Sequence, residues 1–513
     1  MEYTKSYKYL ILALIVSFYF MVMLDMSIVT IAIPRIMSSL GENLTNTNWI
    51  MIAYTISSAI FIMPMIYVIK KFGLKIPLII CIIIFVLSSI LCGLSFSLNE
   101  LIFFRILQGV GGAGIMPLGL ALMSKIFKPD ERAKAMGIWA IGSMVAPAVG
   151  LTLGGFITEY ITWRWIFFIN IPIGIISLIG IIIILEDDYT KNAYGGKFDF
   201  IGFILFSIGI GFLMVVFNEG EIKEWNSAYI HISELMSAIG FISFLVVEPF
   251  IKHPLINFNI FKFFNFSVIT LINGVRAMAL FGIMLFVPVY LQNVMSYTPF
   301  NAGLIIMPQA IAVAIFAPIA GRLSNRTGNK ILIIIGMALS AVSFLMYSNL
   351  SLQSNLAAII LPEIVRGVGF GFLYAPIMTE GLNAVPDSFI PEASSLLPVT
   401  MRIFAGVGVA LFDNLLVIKQ VSYLNKYADT ITFSNHLFVQ FSGEIKKNIL
   451  DKINPGIISH LRENPSLIMV DKLVEGFANI AAYDYIFLFG GLMTLLGAVF
   501  ALALKNKKYK KIN

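Results

Sequence analysis

The chain is short of charge. Of its 513 residues, 35 are Lys or Arg and 28 are Asp or Glu, 12% in all, about half the roughly 25% of a soluble globular protein. Too little polar surface is present to cover a water-exposed fold of this size. Cysteine and histidine are also scarce, at two and four. Cys81 and Cys92 lie on one apolar run without metal-ligand spacing, which excludes a disulfide framework, and the scattered histidines carry no zinc signature. No GxxxxGK[ST] is present, and GGKF at 195–198 lacks both the spacing and the hydroxyl of a phosphate-cradling loop. No Ser-x-x-Lys, HExxH or paired-aspartate motif supports a membrane enzyme. The sequence therefore calls for no metal and no cofactor. Any energy input would be an ion gradient, for which a proton gradient is the expectation.

What is present is apolar. Hydrophobic residues make up 58% of the chain and the mean hydropathy is +0.90. The apolar runs lie at approximately 10–33, 48–69, 78–97, 101–123, 135–158, 164–185, 201–217, 229–250, 267–292, 301–321, 331–350, 356–378, 394–417 and 484–504. They predict fourteen transmembrane helices, an all-α polytopic membrane protein. The short alternating segments of a β-barrel are missing. The first run is too long for a signal-peptide core and lacks an obvious cleavage site, so it reads as a retained helix.

The net charge of +7 is no nucleic-acid signal. The basic residues gather in alternate short loops: Lys70, Lys71 and Lys75; Lys125, Lys128, Arg132 and Lys134; Arg322, Arg326 and Lys330; and the tail KNKKYKK. The positive-inside rule then places both termini in the cytoplasm. One outer loop, roughly 419–483, is long, with helix-like pieces VQFSGEIKKNILDKI and SLIMVDKLVEGFANI. Its apolar positions, among them Ile449, Ile453, Ile457 and Ile458, recur at helical spacing. A surface flap is the plain reading; a docking face for an extracytoplasmic partner, or a rest on lipid headgroups, are the others.

Segment five, GIWAIGSMVAPAVGLTLGG, repeats Gly142, Ala146, Gly150 and Gly154 every fourth residue. On a helix these share one face and leave a smooth ridge that lets two backbones approach in lipid. Pro147 interrupts its hydrogen bonding. The segment is joined to segment four by what reads as a basic loop, KIFKPDERAK.

A charge inside the bilayer is a functional candidate by default, since it costs about 2.5–3.5 kcal/mol at the centre on insertion scales. Asp25 lies about fifteen residues into the first run and Arg105 about five into the fourth, entering from opposite sides, so at 1.5 Å per residue both fall in the outer half. They can meet. Burial favours a neutral carboxyl and a nearby arginine a charged one, so a carboxyl that gains and loses an arginine can carry a proton. A structural salt bridge is the competing reading. Glu363 can bind a cationic drug, carry a proton, or simply pair with Arg366 or Arg402. Arg276 and Arg402 can bind anionic substrate groups or neutralise Glu363 and Asp413. Arg164, between Trp163 and Trp165, reads as an aromatic-belt anchor.

An internal repeat relates the two ends of the chain. RILQGVGGAG in segment four resembles EIVRGVGFG in segment twelve with Gly109 set on Gly367, and KKFGLK resembles GRLSNRTGNK. Two six-helix halves, 1–190 and 263–513, would flank an inserted pair at 191–262, a known transporter plan.

With LDMSIVTIAIP, RILQGVGGAG, APAVGLTLGG, WRWIFFINIPIG and VPVYLQNVMSYTPFNAGLIIMPQ together, the chain resembles the major facilitator superfamily over nearly its whole length. The resemblance is to the fourteen-helix drug:proton antiporter branch, of the EmrB and QacA type. It implies a major facilitator fold and export of lipophilic small molecules against protons in the bacterial cytoplasmic membrane. It implies a proton-coupling role for Arg105, and conformational roles for Gly142, Pro147, Gly150, Gly154 and Gly155 and for the loop residues Gly73, Lys75, Gly321, Arg326 and Gly328. For relatives in cells with two membranes it implies a periplasmic adaptor and an outer-membrane duct. There are departures. The family's GxxxDRxGRK loop has Ile66, Lys70 and Leu74 at its first glycine, aspartate and second arginine, and Leu151 stands where the helix-five motif commonly has proline. The alternatives are a dedicated exporter of a metabolite, peptide or lipid, a proton symporter, and, outside transport, a membrane enzyme or sensor.

Overall fold

The computed structural model describes residues 4–186, 196–220, 223–225, 227–350, 355–430 and 465–505, and these are all helices and short connections, with no strand. In chain order the helices are α1 (Lys5–Leu40), α2 (Leu44–Ile60), α3 (Met65–Phe72), α4 (Lys75–Leu94), α5 (Leu98–Ala113), α6 (Ile115–Ile126), α7 (Pro129–Tyr160), α8 (Trp165–Phe168), α9 (Asn170–Ile184), α10 (Phe200–Glu219), α11 (Ala228–Val247), α12 (Phe264–Val289), α13 (Pro299–Thr327), α14 (Asn329–Tyr347), α15 (Leu356–Asn383), α16 (Ile390–Thr430) and α17 (Pro465–Leu502). Thirteen are, alone or in line with a neighbour, long and apolar enough to cross a membrane; the pair α2 and α3, bent by 51°, brings the spans to fourteen. The protein is an all-α, multi-pass membrane protein.

The helices outrun their apolar stretches, because a helix continues through polar residues until something caps it. The expected basic loop KIFKPDERAK is the clearest correction. Only Phe127 and Lys128 separate α6 from α7, since Pro129 takes the first turn, where its missing N–H costs nothing. Asp130 and Glu131 follow in that turn, where acids suit the helix dipole. The expected outer loop at 419–483 is corrected too. Its start belongs to α16, which runs to Thr430, and SLIMVDKLVEGFANI belongs to α17. Ile449, Ile453, Ile457 and Ile458 lie outside the described residues.

One group of spans, α1 to α9, packs chiefly on itself, with α1 against α7 and α5 between α2 and α4. A second group, α12 to α17, does the same, with α15 between α13 and α14 and α12 against α16. The groups meet where α7 lies on α13 and α15, and where α3 and α6 touch α16. Helices α10 and α11 pair with each other, and α10 reaches both α2 and α16. The two related loops turn alike: Gly73 closes α3 at φ 73° and Gly328 closes α13 at φ 83°, left-handed conformations that a side chain disfavours. Lys75 then opens α4, and Lys330 donates to the carbonyls of Leu502, the last residue of α17, and of Leu504 just past it, at 2.6 and 2.9 Å. Arg326 is exposed.

The small-residue ridge of α7 lies along α1. A Cβ on Gly142 would come 3.1 Å from Val16, one on Gly150 would overlap the Ser27 hydroxyl and sit 3.0 Å from the Leu24 carbonyl, and one on Gly154 would sit 2.8 Å from Ile28. Ala146 is fully buried between them, while Pro147 is half-buried within the same helix. Gly155 is different, with open space beside it. Gly150→Leu is therefore expected to lower stability by about 1–3 kcal/mol, the usual cost of overpacking, and to lose transport while the protein still inserts. Gly155→Ala should be neutral or stabilising by up to about 1 kcal/mol, alanine being the better helix former. Thermal unfolding of both purified variants checks this; equal loss in the two would mean that the α1–α7 contact is not what the ridge serves.

Candidate functional site

Asp25 and Arg105 meet. Arg105 Nη1 donates to Asp25 Oδ2 at 2.5 Å, and the two residues are 1% and 0% exposed. Around them α2, α4, α5 and α9 supply the remaining partners. Gln108, one turn after Arg105 on α5, donates through Nε2 to Asp25 Oδ1 at 3.0 Å and to Ser89 Oγ at 2.8 Å, and its Oε1 accepts from Arg105 Nη1 at 2.6 Å. Asn170, the first residue of α9, donates to Asp25 Oδ1 at 2.7 Å. Arg105 Nε donates to the Ile50 carbonyl at 3.1 Å, and its guanidinium lies 4.2 Å from the centre of the Tyr54 ring. The buried carboxylate thus takes three side-chain donors, a charge-assisted network of the strong kind. Sequence reading missed Gln108, Asn170, Ser89 and Tyr54. Two of them carried a signal: Gln108 is polar at i+3 from Arg105 inside an apolar run, and Asn170 lies in WRWIFFINIPIG.

The second group holds its own buried pair. Glu363 accepts from Arg366, one turn on, and from the Tyr347 hydroxyl, and Arg366 Nη2 donates to Gln309 Oε1 at 2.7 Å. Of the partners open to Glu363, it is Arg366 that pairs with it, not Arg402. The expectation that Arg276 and Arg402 neutralise Glu363 and Asp413 is not met either. Arg276 Nη2 donates to Asn273 Oδ1 at 3.0 Å, and Arg402 Nη1 donates across the groups to the Ser58 hydroxyl on α2. Asp413 lies about three turns beyond Arg402 on α16, too far along to share its partner, and accepts from Trp225 Nε1 at 3.1 Å between α10 and α11. Arg164 does more than sit in an aromatic belt. Its Nη1 donates to the carbonyls of Gly93 and Ser95 at 3.0 and 2.5 Å, satisfying the end of α4.

The two groups are fastened at the end that carries the N-terminus. Lys70 pairs with Glu392 in the first turn of α16, and Arg132 Nη1 donates to Asn383 Oδ1 at the end of α15 at 2.5 Å. Glycines make the same contact close: a Cβ on Gly137 would sit 2.6 Å from the Ala317 carbonyl, and one on Gly321 would overlap that of Ala133. An acid, Glu392, stands opposite Lys70, so opposite charges attract across the seam at this point.

Two helical groups, each with a buried ion pair, joined by breakable polar contacts at one end of a seam, define a secondary transporter rather than an enzyme. The chain belongs to the Major Facilitator Superfamily, whose sequence profile matches residues 15–409. It is 26% identical over 500 residues to the MFS-type transporter YhcA of Bacillus subtilis, covering 96% of this chain and 92% of that one. It is 31% identical over 394 residues to the multidrug export protein EmrB of Escherichia coli, covering 76% of this chain and 77% of that one. The fold is similar to that of the proton:xylose symporter XylE, with a TM-score of 0.61 over 97% of this chain and 96% of that one, at 12% identity.

The Lys70–Glu392 contact yields a charge-swap test. Lys70→Glu sets two acids against each other and should cut transport at least fivefold; adding Glu392→Lys should return it to within about twofold. The measurement is substrate flux in proteoliposomes at matched protein content. A double variant as impaired as Lys70→Glu alone would mean that the pair does not hold the seam.

Proposed function

We propose that this chain exports lipophilic small molecules from the cytoplasm in exchange for protons, by alternating access across the cytoplasmic membrane, with both termini inside. The observation that carries the reading is the Asp25–Arg105 pair, fully buried where α1, α2 and α5 converge. A protonated Asp25 has lost the charge that holds Arg105, and the freed guanidinium is left beside the Tyr54 ring. Arg402 on α16 donates to Ser58, one turn after Tyr54 on α2, so a change at Asp25 has a short route to the seam. The helical groups 1–190 and 263–513 are the rocking units, with 191–262 as the inserted pair. Proton entry would loosen one arrangement of the seam, and substrate release would permit its return. The names of relatives as multidrug export proteins support the drug class. An adaptor and duct would serve the same export in a cell with two membranes, with the segment between α16 and α17 on the outer side.

Asp25→Asn keeps the shape and hydrogen-bonding of a neutral side chain but cannot release a proton. In proteoliposomes with an imposed pH gradient, it should abolish gradient-driven transport of a lipophilic dye while exchange without a gradient persists. Asp25→Glu should keep partial activity, with the titratable group displaced. Undiminished pH-driven transport by Asp25→Asn rules out Asp25 as the proton carrier, and a wild-type flux indifferent to the gradient rules out proton exchange altogether.

A further inference from the structure

Among the described residues, the buried arginines of α5 and α15 are each balanced by an acid. Asp25 answers Arg105 and Glu363 answers Arg366, each within its own helical group. Arg276 on α12 and Arg402 on α16 have no such answer: among the described residues neither makes an ion pair, and both lie within spans. Arg276 is 2% exposed and its Nε has no hydrogen-bond partner. Arg402 is half-buried and its one bond, to Ser58, crosses the seam. Arg402 directly follows Met401, whose sulfur accepts from Arg276 Nη2 at 3.4 Å.

The walls about them are aromatic and come from both groups. Tyr19 of α1 stacks on Trp139 of α7, centroids 4.4 Å apart, and Tyr374 of α15 lies beside both and 5.8 Å from the Arg276 guanidinium. The hydroxyl of Tyr54 is buried and makes no hydrogen bond, and Trp139 Nε1 and the Tyr374 hydroxyl have no partner beyond their own cluster with Tyr19. Two cations, neither paired with a carboxylate among the described residues, beside hydrogen-bond donors with room for a further partner, suit an anion and repel a cation. A guanidinium offers a planar fork that matches a carboxylate, and stacked rings suit a flat apolar body.

We propose that the central site binds an amphiphilic organic anion, its carboxylate or similar oxyanion held by Arg276 and Arg402 and its apolar body against Tyr19, Trp139 and Tyr374. The assignment rests on the reading of the chain as an exporter and names the class of its cargo. It also gives Arg402 a second task. An anion drawing Arg402 off Ser58 removes a polar tie between the groups, so the cargo itself loosens the seam.

The test is equilibrium binding to purified protein in lipid nanodiscs, without a gradient, using three probes of one ring system: 2-naphthoate, 2-naphthylmethylammonium and 2-naphthylmethanol. Naphthoate should bind at least tenfold more tightly than the ammonium. Arg402→Gln and Arg276→Gln should each weaken naphthoate at least tenfold while leaving the alcohol within about twofold, and Arg402→Lys should recover part of the loss. The comparison of probes on the unmodified protein stands even if a variant fails to fold. Naphthoate that does not bind, an ammonium that binds as tightly, or glutamine variants that fold and keep full naphthoate affinity would each overturn the proposal. The preference for naphthoate is measured without a gradient and so does not depend on proton exchange. Transport that ignores the pH gradient, alongside that preference, would overturn proton exchange and leave the anion site standing.

Discussion

An ionised group inside a bilayer must be answered by the protein, because neither lipid nor water will do it. Stripping a carboxylate or a guanidinium of water costs several kcal/mol per ion even after relaxation, and only close, well-satisfied pairing recovers it. The first helical group is arranged to meet that demand. Three helices, α2, α5 and α9, send a polar atom to the Asp25–Arg105 pair, and Asp25 Oδ1 alone is reached by both Gln108 and Asn170. Removing the negative charge leaves Arg105 with neutral partners only, among them the Ile50 carbonyl and Gln108. A proton arriving at Asp25 is therefore a large local perturbation, delivered to a point where α1, α2 and α5 are held together. A surface pair, worth about 1 kcal/mol or less, could not have that leverage.

Lipid also changes how the helices hold together. Apolar side chains gain little by leaving lipid for one another, so association relies on close contact and hydrogen bonds. The α1–α7 face uses glycines to bring the backbones near, and the α7–α13 contact does so again at Gly137 and Gly321. The same helix, α7, thus binds tightly to its own group along one face and to the other group at one end. Polar ties such as Lys70–Glu392 and Arg132–Asn383 sit at that end, where water can replace them when they part. Durable contacts lie within the groups and exchangeable ones between them.

Much of this was legible in the sequence, for a physical reason: apolar length reports spans, and depth follows from rise per residue. Counting from opposite sides was enough to bring Asp25 and Arg105 to one level. The i, i+4 spacing was enough to gather Gly142, Gly150 and Gly154 on one face, and it leaves out Gly155, which the family resemblance had added and which has open space beside it. What failed was anything decided by a capping residue or by rotation about a helix axis. Pro129 starts a helix inside a stretch whose charge reads as loop, and α16 and α17 continue far past their apolar cores. Glu363 had two arginines in prospect, and the one a single turn away on its own helix took it. Gln108 and Asn170 were hidden because an uncharged amide in an apolar run does not announce its partner.

The two groups solve the same problem at corresponding places with the charges exchanged. In α5 the cation precedes a polar residue by three, Arg105 and Gln108; in α15 the anion precedes the cation by three, Glu363 and Arg366. Where α5 turns to α1 for its opposite charge, α15 finds it on itself. The pair in the first group is consequently shared between helices and changes their packing if it breaks, while that in the second is internal to one helix and constrains it much less. A coupling device needs the first kind of pair. The asymmetry within an otherwise repeated architecture is why the proposed proton carrier is Asp25 rather than Glu363: the ion pair of Asp25 spans two helices, while Glu363 reaches a second helix only through the Tyr347 hydroxyl.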